Sequence, residues 1–391
     1  MAAQAASIDI DLFDAETRDD PYAAYRRLRD AGPVCHIERH GLYAMGRYRD
    51  LRDALTNWTD FSSGSGVAMN DLMNRLMAGA VLASDPPQHK RLRQILGMPI
   101  GPARLGKLRP HMRGLAMERV RELKGGGRFD AMRRLAMLLP LSVVSDLVGL
   151  PEEGRERMLD WAAAAFNGMA PAGVPLSDGA FPVMKEIVDY ITDPDLIGRL
   201  RPDGWAAQLW SSVADGTLTE EEYRSIIQGY VSPSLDTTIF AVGNLLWLLA
   251  THPDQWRALK ATPALQARCI NESLRHESPA LGFSRLAKRD LVIDGVAVPA
   301  GARIMTVLPA ANRDERHYAD PERFDIQRDA SDHLAFGGGV HRCIGGSLAM
   351  LEIGAVLEAL VELVDHIEPG DGRRADNAVL RGFDHLEISL H

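Results

Sequence analysis

FGGGVHRCIGG, residues 336–346, gathers five glycines around one of the three cysteines in the chain, and its reading decides the fold. The run that follows, IGGSLAMLEIGAVLEALVEL (344–363), has apolar residues at helical spacing, so Cys343 stands just before a helix N-terminus. Unpaired N–H groups and the helix dipole there favour an anion, which predicts a lowered thiol pKa and a thiolate ligand or nucleophile. Gly337, Gly338 and Gly339 permit unusual backbone angles and close approach of a bulky partner. A phosphate loop would need Gly-Lys-Ser/Thr after the glycines, and His-Arg-Cys stands there instead. Zinc would need a second nearby cysteine or a spaced histidine pair. A cysteine nucleophile and a plain turn cysteine both stay open on composition alone.

The chain has 391 residues, 46% hydrophobic and 25% charged, with a net charge of −9. No linker, repeat or charge block divides it, which predicts one domain over 1–391, with 1–20 loosely ordered. The acidic balance argues against nucleic acid as a partner. Cys35, Cys269 and Cys343 are too few for a disulfide framework and point to a reducing compartment. The acidic N-terminus lacks the order of a signal peptide, and stretches such as LAMLLPLSVV and LLWLLA are too short to span a bilayer, so a cytoplasmic protein without a membrane partner is expected.

Helical periodicity recurs in PYAAYRRLRDAG (21–32), GKLRPHMRGLAMERVREL (106–123), LPLSVVSDLVGL (139–150), residues 220–252 and LQARCINESLRHES (265–278). Strand signals are confined to HGLYAMG (40–46), DLVIDGVAVPAGARIMTVLP (290–309) and HLEISLH (385–391). The expectation is a mainly α protein with small β-sheets.

The ordered pattern F-G-x-G-x-H-x-C-x-G, from Phe336 through Gly337, His341 and Cys343 to Gly345, resembles the haem-binding signature of the cytochromes P-450 at every fixed position. The resemblance implies that fold, a haem b whose iron is bound by the Cys343 thiolate, and O2 as co-substrate. Glu272 and Arg275 are similar to the family's E-x-x-R, and Arg323 in ADPERFD is expected to complete their ion network. Alone, an i,i+3 Glu–Arg pair is common on solvated helix faces. His89 and Arg93 lie on one helix face in DPPQHKRLR. With Arg285 and His341 they are expected to bind haem propionates, since buried carboxylates need cations. Asp236 and Thr237 match the family's acid–alcohol pair, a hydroxyl and a carboxyl that pass protons to reduced oxygen before its O–O bond breaks.

Family members usually carry Ala-Gly where this chain has Pro233-Ser234. Proline removes a helical N–H, so the Gly229 carbonyl is expected to lose its partner and the helix to kink there. By family position, Met69, Leu281, Phe283 and Phe383 are expected around the substrate, although Met69, Met73 and Met77 fit core positions equally well. N-terminal phrases resemble bacterial members that hydroxylate or O-demethylate small aromatic acids. Gln228-Gly229 stand where those relatives place Arg-Ser, so a neutral aromatic or terpenoid is as well supported.

The length leaves no room for flavin or iron–sulfur domains, so electrons from NAD(P)H are expected through a separate ferredoxin reductase and ferredoxin. Seven Lys/Arg and no Asp/Glu between Pro86 and Arg113 suggest the docking surface, with Lys90, Arg91 and Arg342 as its contacts. Met350 replaces an arginine common in relatives, which puts partner geometry in doubt. The resemblance thus implies a haem-thiolate monooxygenase, expected as a monomer. A peroxide-driven peroxygenase, a tailoring oxidase of natural-product biosynthesis, a haem-binding sensor and a cysteine-nucleophile hydrolase stay as alternatives.

Overall fold

The computed structural model describes residues 2–391. Its N-terminal third carries helices α1 (Ala15–Asp19), α2 (Tyr22–Ala31), α3 (Tyr48–Thr56), α4 (Asp71–Leu76), α5 (Gln88–Gly97) and α6 (Pro102–Leu123). The middle carries α7 (Ser145–Val148), α8 (Glu152–Asn167), α9 (Pro175–Thr192), α10 (Leu196–Arg199), α11 (Trp205–Ala214), α12 (Glu220–Val231) and α13 (Asp236–Thr251). Helices α14 (Pro253–Ala261), α15 (Gln266–His276), α16 (Leu308–Asn312) and α17 (Gly346–Leu363) complete the set. The mainly α architecture with small sheets is the one expected.

Helix α13 runs through the centre with most of its residues buried, and α6, α15 and α17 pack with it around the larger core cluster. The stretch Glu220–Thr251 is long and apolar enough to cross a membrane by composition, yet 78% of its apolar window is buried in protein. It is also not one helix. A capping box of Thr219 and Glu222 starts α12, and regular helix stops at Val231. Residues 232–235 form bends before α13 begins at Asp236. Pro233, which has no N–H to donate, sits inside that break, as its position predicts.

Elsewhere the LPLSVVSDLVGL segment departs from the expected regular α-helix. Within it Pro140–Val144 winds as a π-helical turn before Ser145–Val148 returns to α, and a second π-helical turn, Met132–Ala136, precedes it. Pro140 supplies a local cause, because the i→i−4 bond cannot form at a residue without an N–H.

The largest sheet has six strands in the order Ala6–Ser7, Cys35–Ile37, Leu42–Met45, Arg303–Thr306, Ser284–Ala287 and Phe61–Ser62. Arg285 therefore sits on an inner strand, opposite Ile304. The N-terminal segment is less loose than expected: Ala3–Gln4 pairs with Val296–Ala297, and Ala6–Ser7 with Cys35–His36.

Candidate active site

The Cys343 loop is a folded turn. The Cys343 amide donates to the Phe336 carbonyl at 2.8 Å, closing residues 336–343 on themselves. Gly337 and Gly339 take φ of +65° and +62°, in the left-handed region that favours glycine. The glycines turn out to have a reason the sequence did not disclose. A Cβ on Gly339 would lie 2.3 Å from the Leu55 carbonyl, and one on Gly338 would lie 3.3 Å from the Leu55 side chain. At those two positions the close neighbour is α3.

The Cys343 sulfur is accessible, yet it is crowded by protein and receives the amides of Gly345 and Gly346 at the start of α17. Accessible surface in so crowded a setting belongs to an interior recess. The expectation of a lowered thiol pKa is corrected: burial pushes the thiol up, outweighing the two amides and the guanidinium charges of Arg93 and Arg342. The protein alone does not hold a thiolate; a cation bound at the sulfur would.

Around this loop the structure assembles a cation cluster from three distant segments. His89 is 2% exposed and Arg285 4%, and the His89 and His341 rings lie 4.1 Å apart. Among the described residues, the Nε2 atoms of both histidines are buried without a hydrogen-bond partner, and Arg285 has only the Ser284 carbonyl, at 2.8 Å. Arg93 donates to the Arg342 carbonyl. The nearest acid, Asp85, is committed to the Ser62 hydroxyl at 2.5 Å and to the Ser63 and Gly64 amides at 3.0 and 3.3 Å. Burial, then Arg285, His89 and Arg93, hold His341 down at about 3. Burial lowers Arg285 to about 10 against the pull of Asp85. Two guanidinium groups and two orphaned imidazoles with no spare carboxylate form a receptor for an anionic group. Next to them a cavity of about 700 Å³ is lined by His89, Lys90, Arg93, Met98, Gly339 and Ile344, among others. The residues present fit a haem, with its two propionates on these cations and its metal at Cys343.

Asp236 is 7% exposed in the first turn of α13, where burial, reinforced by the Asp160 carboxylate, pushes its carboxyl up to about 7. Thr237 donates its hydroxyl to the Pro233 carbonyl at 3.1 Å, across the helix break.

The Glu272–Arg275 pair is bidentate at 2.7 and 2.8 Å, and both side chains are fully buried. Arg323 does not complete it. Its side chain is 65% exposed near Asp325, and only its backbone carbonyl accepts from Arg275, at 3.2 Å. Arg328 takes the expected place, with Nε 3.3 Å from Glu272 Oε1. A five-residue offset in an irregular loop carries no periodic signal, so sequence could not choose between the two arginines.

Met69, Leu281 and Phe283 come together in one apolar cluster, whereas Phe383 joins the other, 5.4 Å from Trp247 and under the Arg374 guanidinium. Phe240, one turn beyond Thr237, takes its place against Gly382. Lys90 and Arg342 are exposed, but Arg91 is bound to Glu222 and to the Thr217 carbonyl, so it ties α5 to the start of α12. Sequence reasoning also missed Glu277, which is 5% exposed and enclosed by Tyr22, Arg313, Arg374 and Arg381.

A helical scaffold that presents one cysteine at a helix start beside an uncompensated cation cluster is that of a haem-thiolate protein. The comparisons agree. The family model for Cytochrome P450 matches residues 254–372. Cytochrome p450 CYP199A2 of Rhodopseudomonas palustris is 34% identical over 98% of this chain and 94% of its own length. The Vitamin D(3) 25-hydroxylase of Pseudonocardia autotrophica is 30% identical over 97% of this chain and 96% of its own. The structure of myxobacterial cytochrome P450 CYP267B1 in complex with myristic acid superposes with a TM-score of 0.83 at 27% identity, covering 97% of this chain and 98% of that one. The chain belongs to the cytochrome P450 family, and its activity is that of a haem-thiolate monooxygenase.

Proposed function

We propose that this monooxygenase inserts one oxygen atom from O2 into a small, uncharged, apolar aromatic or terpenoid compound, by hydroxylation or oxidative O-demethylation. Electrons come from NAD(P)H through a ferredoxin reductase and a ferredoxin. The balance is substrate, O2, two electrons and two protons giving oxidised substrate and water. The bound haem supplies the redox and oxygen-activating chemistry. Cys343 Sγ is its protein ligand, and His89, Arg93, Arg285 and His341 hold its carboxylates. The observation that carries this reading is the pair of orphaned buried imidazole nitrogens beside two guanidinium groups.

Asp236 holds a proton at a carboxyl poised near neutrality, and the Thr237 hydroxyl passes it on. Retention of that pair favours the O2 reaction over a peroxide-driven one. Lys90 and Arg342, both exposed and free of acidic partners among the described residues, are the favoured ferredoxin contacts; Arg91 is not, because Glu222 already neutralises it. The apolar α12–α13 run is mostly buried in protein, in keeping with a core segment, and we take a cytoplasmic single-domain monomer as the working form.

Two assays together test this. Neutral aromatics and terpenoids should blue-shift the Soret band where the matching carboxylic acids do not. Each shifting compound should then stimulate NADH consumption only when ferredoxin and reductase are present. Efficient product formation from peroxide alone, with no dependence on ferredoxin or reductase, would overturn the electron-transfer half, and tighter binding of the acids would overturn the substrate half.

A further inference from the structure

The buried Glu272–Arg275 pair does not itself reach the cysteine loop. Among the described residues, its bonds outside the pair run to the Asn312, Pro321 and Arg323 carbonyls, the Asp325 amide and the Arg328 guanidinium. Asn312, the last residue of α16 and fully buried, makes the connection. Its carbonyl accepts from Arg275 at 2.9 Å, its Nδ2 donates to the Ser278 hydroxyl at 2.8 Å, and its Oδ1 accepts from the Leu334 amide at 2.7 Å.

From Leu334 the contact passes into the loop in two further bonds. The Leu334 carbonyl accepts from the Gly337 amide at 2.7 Å, and the Phe336 carbonyl accepts from the Cys343 amide at 2.8 Å. Tyr48 and Arg93 bond the carbonyls that flank this stretch, Asp332 at 2.8 Å and Arg342. Among the described residues, no hydrogen bond but that of Asn312 reaches the backbone of 334–341 from outside residues 333–343. Gly337, Gly338 and Gly339 give that stretch little stiffness of its own.

We propose that the Asn312 side chain, through the Leu334 amide, holds the Cys343 sulfur where it ligates iron. The proposal rests on the monooxygenase reading above. Asn312 is a positioning residue: it acts on the ligand through the loop it holds, and the ion pair behind it acts only by way of Asn312.

Two substitutions separate positioning from packing. Asn312→Leu keeps the volume but leaves the buried Leu334 amide without an acceptor. Asn312→Asp keeps the acceptor and places a carboxylate in the core, which costs stability. The probe is carbon monoxide on the reduced, haem-loaded protein held well below its melting temperature, with the thiolate-ligated band followed over hours. Asn312→Leu should lose that band about tenfold faster than the wild type or more, the effect of one unsatisfied buried donor. Asn312→Asp should stay within about threefold of the wild type, because its acceptor is intact, although its melting temperature falls at least as far. Band loss that simply follows melting temperature across the two variants, or a wild-type lifetime in Asn312→Leu, would overturn the proposal and leave Asn312 a packing residue. Should neither variant fold, residue-level hydrogen exchange on the wild-type carbon monoxide complex decides. The Leu334 amide should exchange as slowly as the α15 amides and more slowly than those of Gly338 and Val340; exchange at their rate contradicts the anchor. Wild-type protein that takes up haem but shows no thiolate-ligated band would sink the monooxygenase reading instead, a different outcome.

Discussion

Thr237 Oγ1 donates to the Pro233 carbonyl at 3.1 Å, so the alcohol we propose as the proton donor to oxygen is bonded to the residue that sits in the break before its own helix. Position and break are coupled. Thr237→Val keeps the shape and removes the hydroxyl; haem uptake should be unchanged while most reducing equivalents leave as hydrogen peroxide. Pro233→Ala restores a backbone N–H and should join α12 to α13. Its coupling of NADH to product should fall even though Thr237 is intact. Peroxide yield against NADH consumed measures both.

The Asp236 carboxyl, pushed up to about 7 mainly by burial, has a stability signature of definite sign. The folded state binds its proton more tightly than the unfolded chain does, so stability falls as pH rises from the ordinary carboxylate range to about 7. Asp236→Asn should remove that slope from thermal melts. It should also slow turnover by about 100-fold or more, the usual size of a lost proton relay.

Glu277 has the opposite sign. Burial alone would raise its carboxyl, but Arg374, Arg381 and Arg313, with the Tyr22 hydroxyl, hold it at about 2. Its contribution is complete above the unfolded-state value and is lost as pH falls toward 2. Glu277→Gln leaves three arginines facing an uncharged amide. It should cost about 3–5 kcal/mol at neutral pH, as breaking one side of a buried pair does, and flatten the acid limb of the melting curve.

Arg328 and Arg323 differ in consequence. Arg328, 14% exposed, bonds Glu272 and the Ala319 and Asp320 carbonyls. Arg328→Ala should destabilise by roughly 1–3 kcal/mol in denaturant melts. Arg323→Ala should stay within about 0.5 kcal/mol, as surface substitutions do.

What the sequence disclosed follows from how locally each feature is encoded. The helices with strong periodicity, the Cys343 turn and the Glu272–Arg275 pair are set by neighbours within one or two turns and were legible, whereas the π-helical turn at Pro140–Val144 was not. The assembly of His89, Arg93, Arg285 and His341 was legible only through resemblance, because nothing local joins an α5 face, a sheet strand and a loop. The pairings that failed or went unseen are long-range choices between chemically equal candidates. Arg328 rather than Arg323 reaches Glu272, Glu222 takes Arg91, and Phe240 rather than Phe383 faces the apolar cluster. Glu277 drew no notice because its four partners come from residues 22, 313, 374 and 381. The thiol shift ran against expectation because burial, a tertiary quantity, outweighs the local helix start.

The central claim is that the Cys343 sulfur binds haem iron, and the carbon monoxide difference spectrum of the reduced protein tests it most directly. With haem fully loaded, the wild type should absorb near the wavelength for which the family is named, and Cys343→His should lose that band while retaining haem. Absence of the band in the wild type, or its persistence in Cys343→His, would contradict the account.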